Sequence, residues 1–256
     1  MQILKRCALL NKIITVWFSC GAASAVAAKK TIDLYGRDNT IKIVNNPIKE
    51  EHEDNKRFLK DVEEWLGVQI EFALNPKFPD ASCQTVWEER KFMSGNFGAP
   101  CTLHLKRNAR QVWEIKNPTD YIVLGFTADE KRRAKRFNET NKQLLLTPLI
   151  DKGITKQGCF DILLAEGIRL PDIYSFGYPN ANCIGCVKAS SPTYWNLVRK
   201  TFPDIFYKRC KTSRDLGAKL VRHKGKRIFL DELPADAKGR DLKNYDFECG
   251  IFCIKK

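Results

Sequence analysis

Nowhere in the 256 residues do eighteen apolar side chains run unbroken, because lysine or aspartate interrupts each candidate, so a membrane-spanning helix is not expected. Ten cysteines are too sparse for a disulfide-dense small domain, and their uneven spacing suits a reduced compartment in which thiolates bind metal or react. Internal repeats and low-complexity tracts are missing, which removes solenoids and disordered linkers. His52, His104 and His223 form neither a metal nor a triad spacing. What remains is ordinary globular composition, 43% hydrophobic and 29% charged, with one imbalance: 44 Lys and Arg face 30 Asp and Glu. The resulting +14 attracts polyanions and makes any phosphate-rich encounter salt-dependent, so nucleic acid is a candidate partner.

Two readings compete at the N-terminus. Lys5 and Arg6, the apolar piece from Ile13 to Phe18 and the small residues Ala25-Val26-Ala27 imitate a secretory signal with its cleavage site. Asn11 and Lys12 break the apolar region, however, and Ile13 to Phe18 is short for the core of such a signal. Its β-branched and aromatic residues suit a buried strand ending at a Ser-Cys-Gly turn, and the expected location is the cytoplasm.

Downstream, alanine-rich residues 22–34 form a helix, Ile41 to Asn45 a second strand, and Lys49 to Leu66 a helix with Phe58, Leu59, Val62, Trp65 and Leu66 at helical spacing. Val68 to Phe72 and Tyr121 to Phe126 read as strands, and Val86 to Met93 and Leu105 to Ile115 as helices. Alternating strands and helices predict an α/β protein with a doubly wound, mainly parallel sheet, whose ligand crevice lies beyond the strand C-terminal ends. From about Gly177 the texture changes to glycine, proline and asparagine. A helical run from Tyr194 to Leu220, broken at Pro203, then leads to an extended segment from Ile228 to Leu233. The expected division is a nucleotide-binding α/β domain over 1–176 and a cysteine-containing, mostly helical module over 177–256.

Three features carry chemistry. Ser19-Cys20-Gly21-Ala22-Ala23-Ser24 lies between a strand and a helix, where unpaired amides and small side chains let a phosphate or sulfate approach, though a plain tight turn has the same composition. Cys183 and Cys186 share a turn with Gly185, a spacing that presents two thiolates to one Zn²⁺ or iron–sulfur cluster. Cys249 and Cys253 could close such a four-sulfur site, while the alternative is that these thiols only fill apolar holes. Cys101 is a further candidate ligand, and Cys7, Cys83, Cys159 and Cys210 read as structural. Lys131 to Arg136 and Lys219 to Arg227 are basic runs able to grip phosphates, or simply solvated faces.

These pieces, in this order, resemble the phosphoadenosine phosphosulfate reductase branch of the adenine nucleotide alpha-hydrolase-like superfamily. Ser19 to Ser24 resembles its Ser-Gly-Gly-x-Asp-Ser loop, and Cys101-Thr102 with Leu105-Lys106 its cysteine-containing segment. Gly125 to Glu130 with Arg133 resembles the segment Gly-x-Arg-Ala-x-Glu-Ser-x-x-Arg, Cys183 to Cys186 its Cys-x-x-Cys, and Glu248-Cys249-Gly250-Ile251 its Glu-Cys-Gly-Leu-His tail. The resemblance implies an adenine nucleotide or sulfonucleotide held by Ser19, Cys20, Gly21, Ala22, Ser24, Lys106 and Arg133. It also implies a nucleophilic Cys249 regenerated by a thioredoxin-like dithiol, unless Cys249 joins Cys183, Cys186 and Cys253 around a metal. Sulfur transfer to a nucleic acid and a non-catalytic nucleotide-binding protein with a structural metal are the alternatives. Cys20 replaces a loop glycine and Ala23 the loop aspartate, which removes the carboxylate that would help hold magnesium for ATP cleavage.

Overall fold

The computed structural model describes residues 9–95, 98–242 and 252. Contacts divide the chain into two compact units. One is built from the segment up to Asn46, Glu53–Ala73 and Gln111–Asp172; the other from Pro47–His52, Leu74–Arg110 and the chain from Ile173 onward. The region after Gly177 therefore packs with residues 74–110, which the sequence alone assigns to the nucleotide-binding domain.

The first unit is a five-stranded, wholly parallel sheet in the order β3-β2-β1-β4-β5. Strand β1 (Ile13–Phe18) occupies the centre, and from Ile14 to Phe18 every side chain is buried, as a strand covered on both faces requires. Helix α1 (Ala22–Tyr35) follows at once. Its Ala25, Val26, Ala27 and Ala28 are buried without remainder, and these small side chains allow close packing against β1. Strand β2 (Thr40–Asn45) pairs with β1 throughout. Helix α2 (Asn55–Leu66) begins six residues later than Lys49, because Lys49 N–H turns instead to the Ala81 carbonyl at 3.0 Å. It ends at Gly67, whose φ of +64° supplies the left-handed stop.

Strand β3 is reduced to Glu71–Phe72 at the sheet edge. The next helices along the chain are α3 (Cys83–Arg90) and a π-helical stretch over Thr102–Asn108, both in the second unit, and then α4 (Ala109–Lys116). The wide turn replaces the first part of the α-helix expected from Leu105. Strand β4 (Tyr121–Val123) stops before Gly125, followed by α5 (Lys131–Thr140) and β5 (Leu144–Leu146), an edge strand whose three leucines are too short a run to stand out in the sequence. Helices α6 (Pro148–Asp151) and α7 (Lys156–Ala165) complete this unit, and α7 packs on α1.

The second unit has a separate core around Trp87, Met93, Tyr194, Trp195 and Phe206. Helices α8 (Pro192–Thr201) and α9 (Pro203–Asp215) are the expected run divided at Pro203, and they pack on each other. A two-stranded antiparallel hairpin, β6 (Val221–His223) and β7 (Lys226–Ile228), follows. The extended arm expected from Ile228 is instead the end of β7 and a 3₁₀ turn over Leu230–Glu232. No helix among the described residues is long and apolar enough to cross a membrane.

Candidate functional site

In the first unit, the chain leaves the C-terminal end of β1 and turns into α1 through Ser19, Cys20 and Gly21. Gly21 is the N-cap residue and makes no side-chain cap hydrogen bond. Cys20 holds φ +52°, the left-handed region that costs a residue with a Cβ about 1–2 kcal/mol and suits glycine. That conformation explains why a glycine belongs at this loop position. The bend is braced by Asn45, at the end of β2, whose Nδ2 donates to Phe18 O at 2.8 Å and to Cys20 Sγ at 3.5 Å.

Ser24 closes the bend from the helix side. Its hydroxyl donates to Gly21 O at 2.8 Å and accepts from Ser19 N at 3.1 Å. Gly125 approaches from the end of β4, where a methyl group would lie 2.8 Å from Ser24 N. Only glycine allows that strand end to sit so close to the helix N-terminus. Beyond it, Thr127 and Glu130 form a reciprocal cap, Thr127 N–H donating to Glu130 Oε2 at 3.1 Å. Arg133, assigned to a nucleotide by its sequence position, pairs with Glu130 and lies over the Phe126 ring at 5.3 Å.

Lys106 belongs to the second unit, where it is 8% exposed on the π-helical stretch, 3.8 Å from Glu51. There it lines a cavity of about 20 Å³ with Lys188, Trp87 and four cysteines: Cys83, Cys101, Cys183 and Cys186. Cys83 is the member that sequence reasoning missed. It stands alone in the chain, and only the tertiary fold brings it to Cys101 and Cys183; no local spacing signals it.

Local structure explains how these thiols are held. Glu50 organises two of the three segments: its carboxylate accepts Cys83 N–H at 2.7 Å, Gln84 N–H at 3.0 Å and Ser82 Oγ–H at 2.9 Å, while its carbonyl accepts Ile184 N–H at 2.9 Å. The turn Cys183–Cys186 depends on Gly185 at φ +66°. Tyr194 pins it: the phenolic oxygen accepts Cys186 N–H at 2.8 Å and its hydroxyl donates to Cys183 O at 3.3 Å.

The thiols differ in acidity. The Cys83 thiol beside it, the indole N–H of Trp87 and the positive Lys106 and Lys188 bring Cys101 down to about 7, against the opposing effect of burial. Contact with Cys101 and Cys183, together with burial, raises Cys83 well above the ordinary thiol range. The pair titrates as a unit in which Cys101 gives up its proton first. Burial pushes Cys159 up to about 12 and Cys210 up to about 11, as befits thiols that fill space. Among the described residues no three His, Cys, Asp or Glu side chains stand in a coordination arrangement as they are. Cys249 and Cys253 lie outside the described residues.

No family model and no curated protein matches the sequence. Among solved structures, phosphoadenylyl-sulfate reductase from Candida auris, in a phosphate complex, superposes with a TM-score of 0.50 at 8% identity, over 71% of this chain and 86% of that one. The U34-tRNA thiolase NcsA from Methanococcus maripaludis, solved with its [4Fe-4S] cluster, gives a TM-score of 0.47 at 13% identity, over 84% of this chain and 76% of that one. The first match shares the α/β architecture with a parallel sheet that the alternation of strands and helices predicts. By fold, the chain is therefore similar to phosphoadenylyl-sulfate reductase, with a parallel sheet flanked by helices.

Proposed function

We propose that this protein is a phosphoadenosine phosphosulfate reductase-like enzyme that holds an adenine sulfonucleotide by its anionic end at the bend of residues 19–24 and carries out thiol-dependent sulfur chemistry. The observation that supports it is the convergence of four cysteines and two lysines on one cavity, in a chain whose central parallel strand opens into an uncapped helix N-terminus. Soft thiolates are the donors that zinc and iron–sulfur clusters take, and neighbouring lysines favour the thiolate form. Cys83, Cys101, Cys183 and Cys186 would hold such a group, with Tyr194 and Glu50 fixing the segments that carry them. Bound there, it would tie together the segments that carry the four thiols.

With those four as donors, Cys249 is released from a ligand role to act as nucleophile. Its thiolate attacks the sulfonate sulfur, the bond from sulfur to the phosphate oxygen breaks, and the nucleotide phosphate leaves with that electron pair. The S-sulfocysteine is then cleaved by an external dithiol, which is oxidised to a disulfide as sulfite departs and the Cys249 thiol is restored.

The test is anaerobic purification, absorption and metal analysis, then phosphoadenosine phosphosulfate with a thioredoxin-type dithiol. Sulfite release is expected. Cys249→Ser should retain metal and lose turnover, whereas Cys101→Ser should lose metal. No sulfite from the wild type, or metal lost only in Cys249→Ser, would contradict the reading.

A further inference from the structure

The hairpin β6–β7 is built against its own stability. Arg222 and Arg227 stand directly opposite each other across the two strands, and His223 faces Lys226. Arg222 N–H points away from β7, donating to Ser190 O at 2.9 Å, so the two arginines form the non-hydrogen-bonded type of pair. Side chains approach most closely in such pairs, about 4.5 Å between Cα atoms, and like charges placed there are destabilising. The turn repeats the pattern. Lys224 and Gly225 have φ of +46° and +78°, a two-residue turn in which asparagine is preferred at the first position, yet lysine occupies it.

No Asp or Glu occurs between Leu216 and Leu230, and the acids that follow, Asp231 and Glu232, are bound by Arg214 at 2.9 and 2.8 Å. Among the described residues Arg222, Lys224 and Lys226 make no ion pair, and all three are exposed, while Arg227 Nη1 is anchored on Leu220 O at 2.9 Å. The neighbouring Phe229 ring is covered by Arg214 at 4.0 Å and Lys219 at 5.4 Å, so it gives no open platform on which unpaired bases would stack.

We propose that this hairpin is a docking surface for duplex DNA, with Arg222, Lys224 and Lys226 placed against the phosphate backbone. A two-stranded ribbon enters the major groove of B-form DNA, whereas the deep, narrow major groove of A-form RNA excludes it. The opposed arginines are relieved when a phosphate lies between them. This surface is independent of the nucleotide reading and is tested without turnover.

The experiment is fluorescence anisotropy of the full chain with a labelled DNA duplex of about 20 base pairs across a salt series. The variant Arg222→Thr/Lys224→Asn/Lys226→Thr should bind about tenfold or more weakly near 0.1 M salt, and its log–log salt slope should flatten by about 2.7. Its melting temperature should hold or rise, since like charges are removed. The control Lys131→Gln/Arg132→Gln/Lys135→Gln removes equal charge from α5 and should bind nearly as the wild type does. Equal losses in the two variants would overturn the proposal, as would an unchanged slope in the hairpin variant. Tighter binding to an RNA duplex of the same sequence, or to anionic lipid vesicles, would also overturn it.

Discussion

Ser24 Oγ accepts the Ser19 amide at 3.1 Å and stands 3.2 Å from the Ser19 hydroxyl, so the two serines that bracket the loop are tied to each other. Ser24 thus shapes the cradle by holding its bend. Ser24 is only 4% exposed and its hydroxyl donates inward to Gly21 O, so it holds the bend and does not itself face a ligand. Ser24→Ala is expected to lower stability by about 1 kcal/mol, the worth of a typical internal hydrogen bond, and to weaken nucleotide binding through a looser bend. Chemical denaturation and nucleotide titration of the same variant measure both.

Gly125→Ala tests the close approach of the β4 end to α1. The added methyl would meet backbone atoms at 2.8–3.0 Å, which cannot rotate away as a side chain can. A loss of about 1–3 kcal/mol is expected, the usual cost of overpacking, accompanied by weaker nucleotide binding because the helix N-terminus shifts. A denaturant midpoint equal to that of the wild type would show that the contact is dispensable.

Glu50 connects the Cys83 helix to the Cys183–Cys186 turn, with its carboxylate on one and its carbonyl on the other. In Glu50→Ala the amides of Cys83 and Gln84 lose a charged acceptor, so a destabilisation of about 2–3 kcal/mol is expected. The carbonyl bond to Ile184 persists. Metal analysis should show lower occupancy of the cysteine site, and recovery in Glu50→Gln should be partial, since an amide accepts with one oxygen only.

Asp54 gives a pH-dependent prediction. The Arg57 guanidinium at 2.6 Å, the Asp172 amide at 2.8 Å and Arg169 hold its carboxyl below the ordinary range, outweighing burial. The folded value is lower than the unfolded one of about 3.9, so the contribution to stability is complete above that pH and disappears as pH falls through the folded value. Asp54→Asn should cost about 2 kcal/mol near pH 7, and the difference from wild type should close below about pH 4. Urea melts at a series of pH values would reveal a constant difference if the ion pair were unimportant.

The central strand, the alanine-rich helix and the loop between them are legible in the sequence because each is local: β-branched residues, then glycine, then small helix formers. The Pro203 break is legible for the same reason. The hairpin is not, since its strands are three residues long and its turn carries lysine where asparagine would mark it. The cysteine cavity is half legible. The Cys183–Cys186 spacing announces itself, but Cys83 joins only because Glu50 and the second core fold a distant helix against it. Lys106 reads as a phosphate ligand by its place in the order of motifs, and the structure puts it beside the thiols.

The central claim is that residues 19–24 grip the anionic end of a nucleotide, and isothermal calorimetry with phosphoadenosine phosphosulfate tests it most directly when wild type and Ser19→Glu are compared. Ser19 is exposed, so the substitution adds a negative charge to the cradle without disturbing the core. Saturable binding by the wild type, weakened at least about tenfold in Ser19→Glu while the protein stays folded, is the predicted result. Absence of binding to the wild type, or equal affinity in the two proteins, would contradict it.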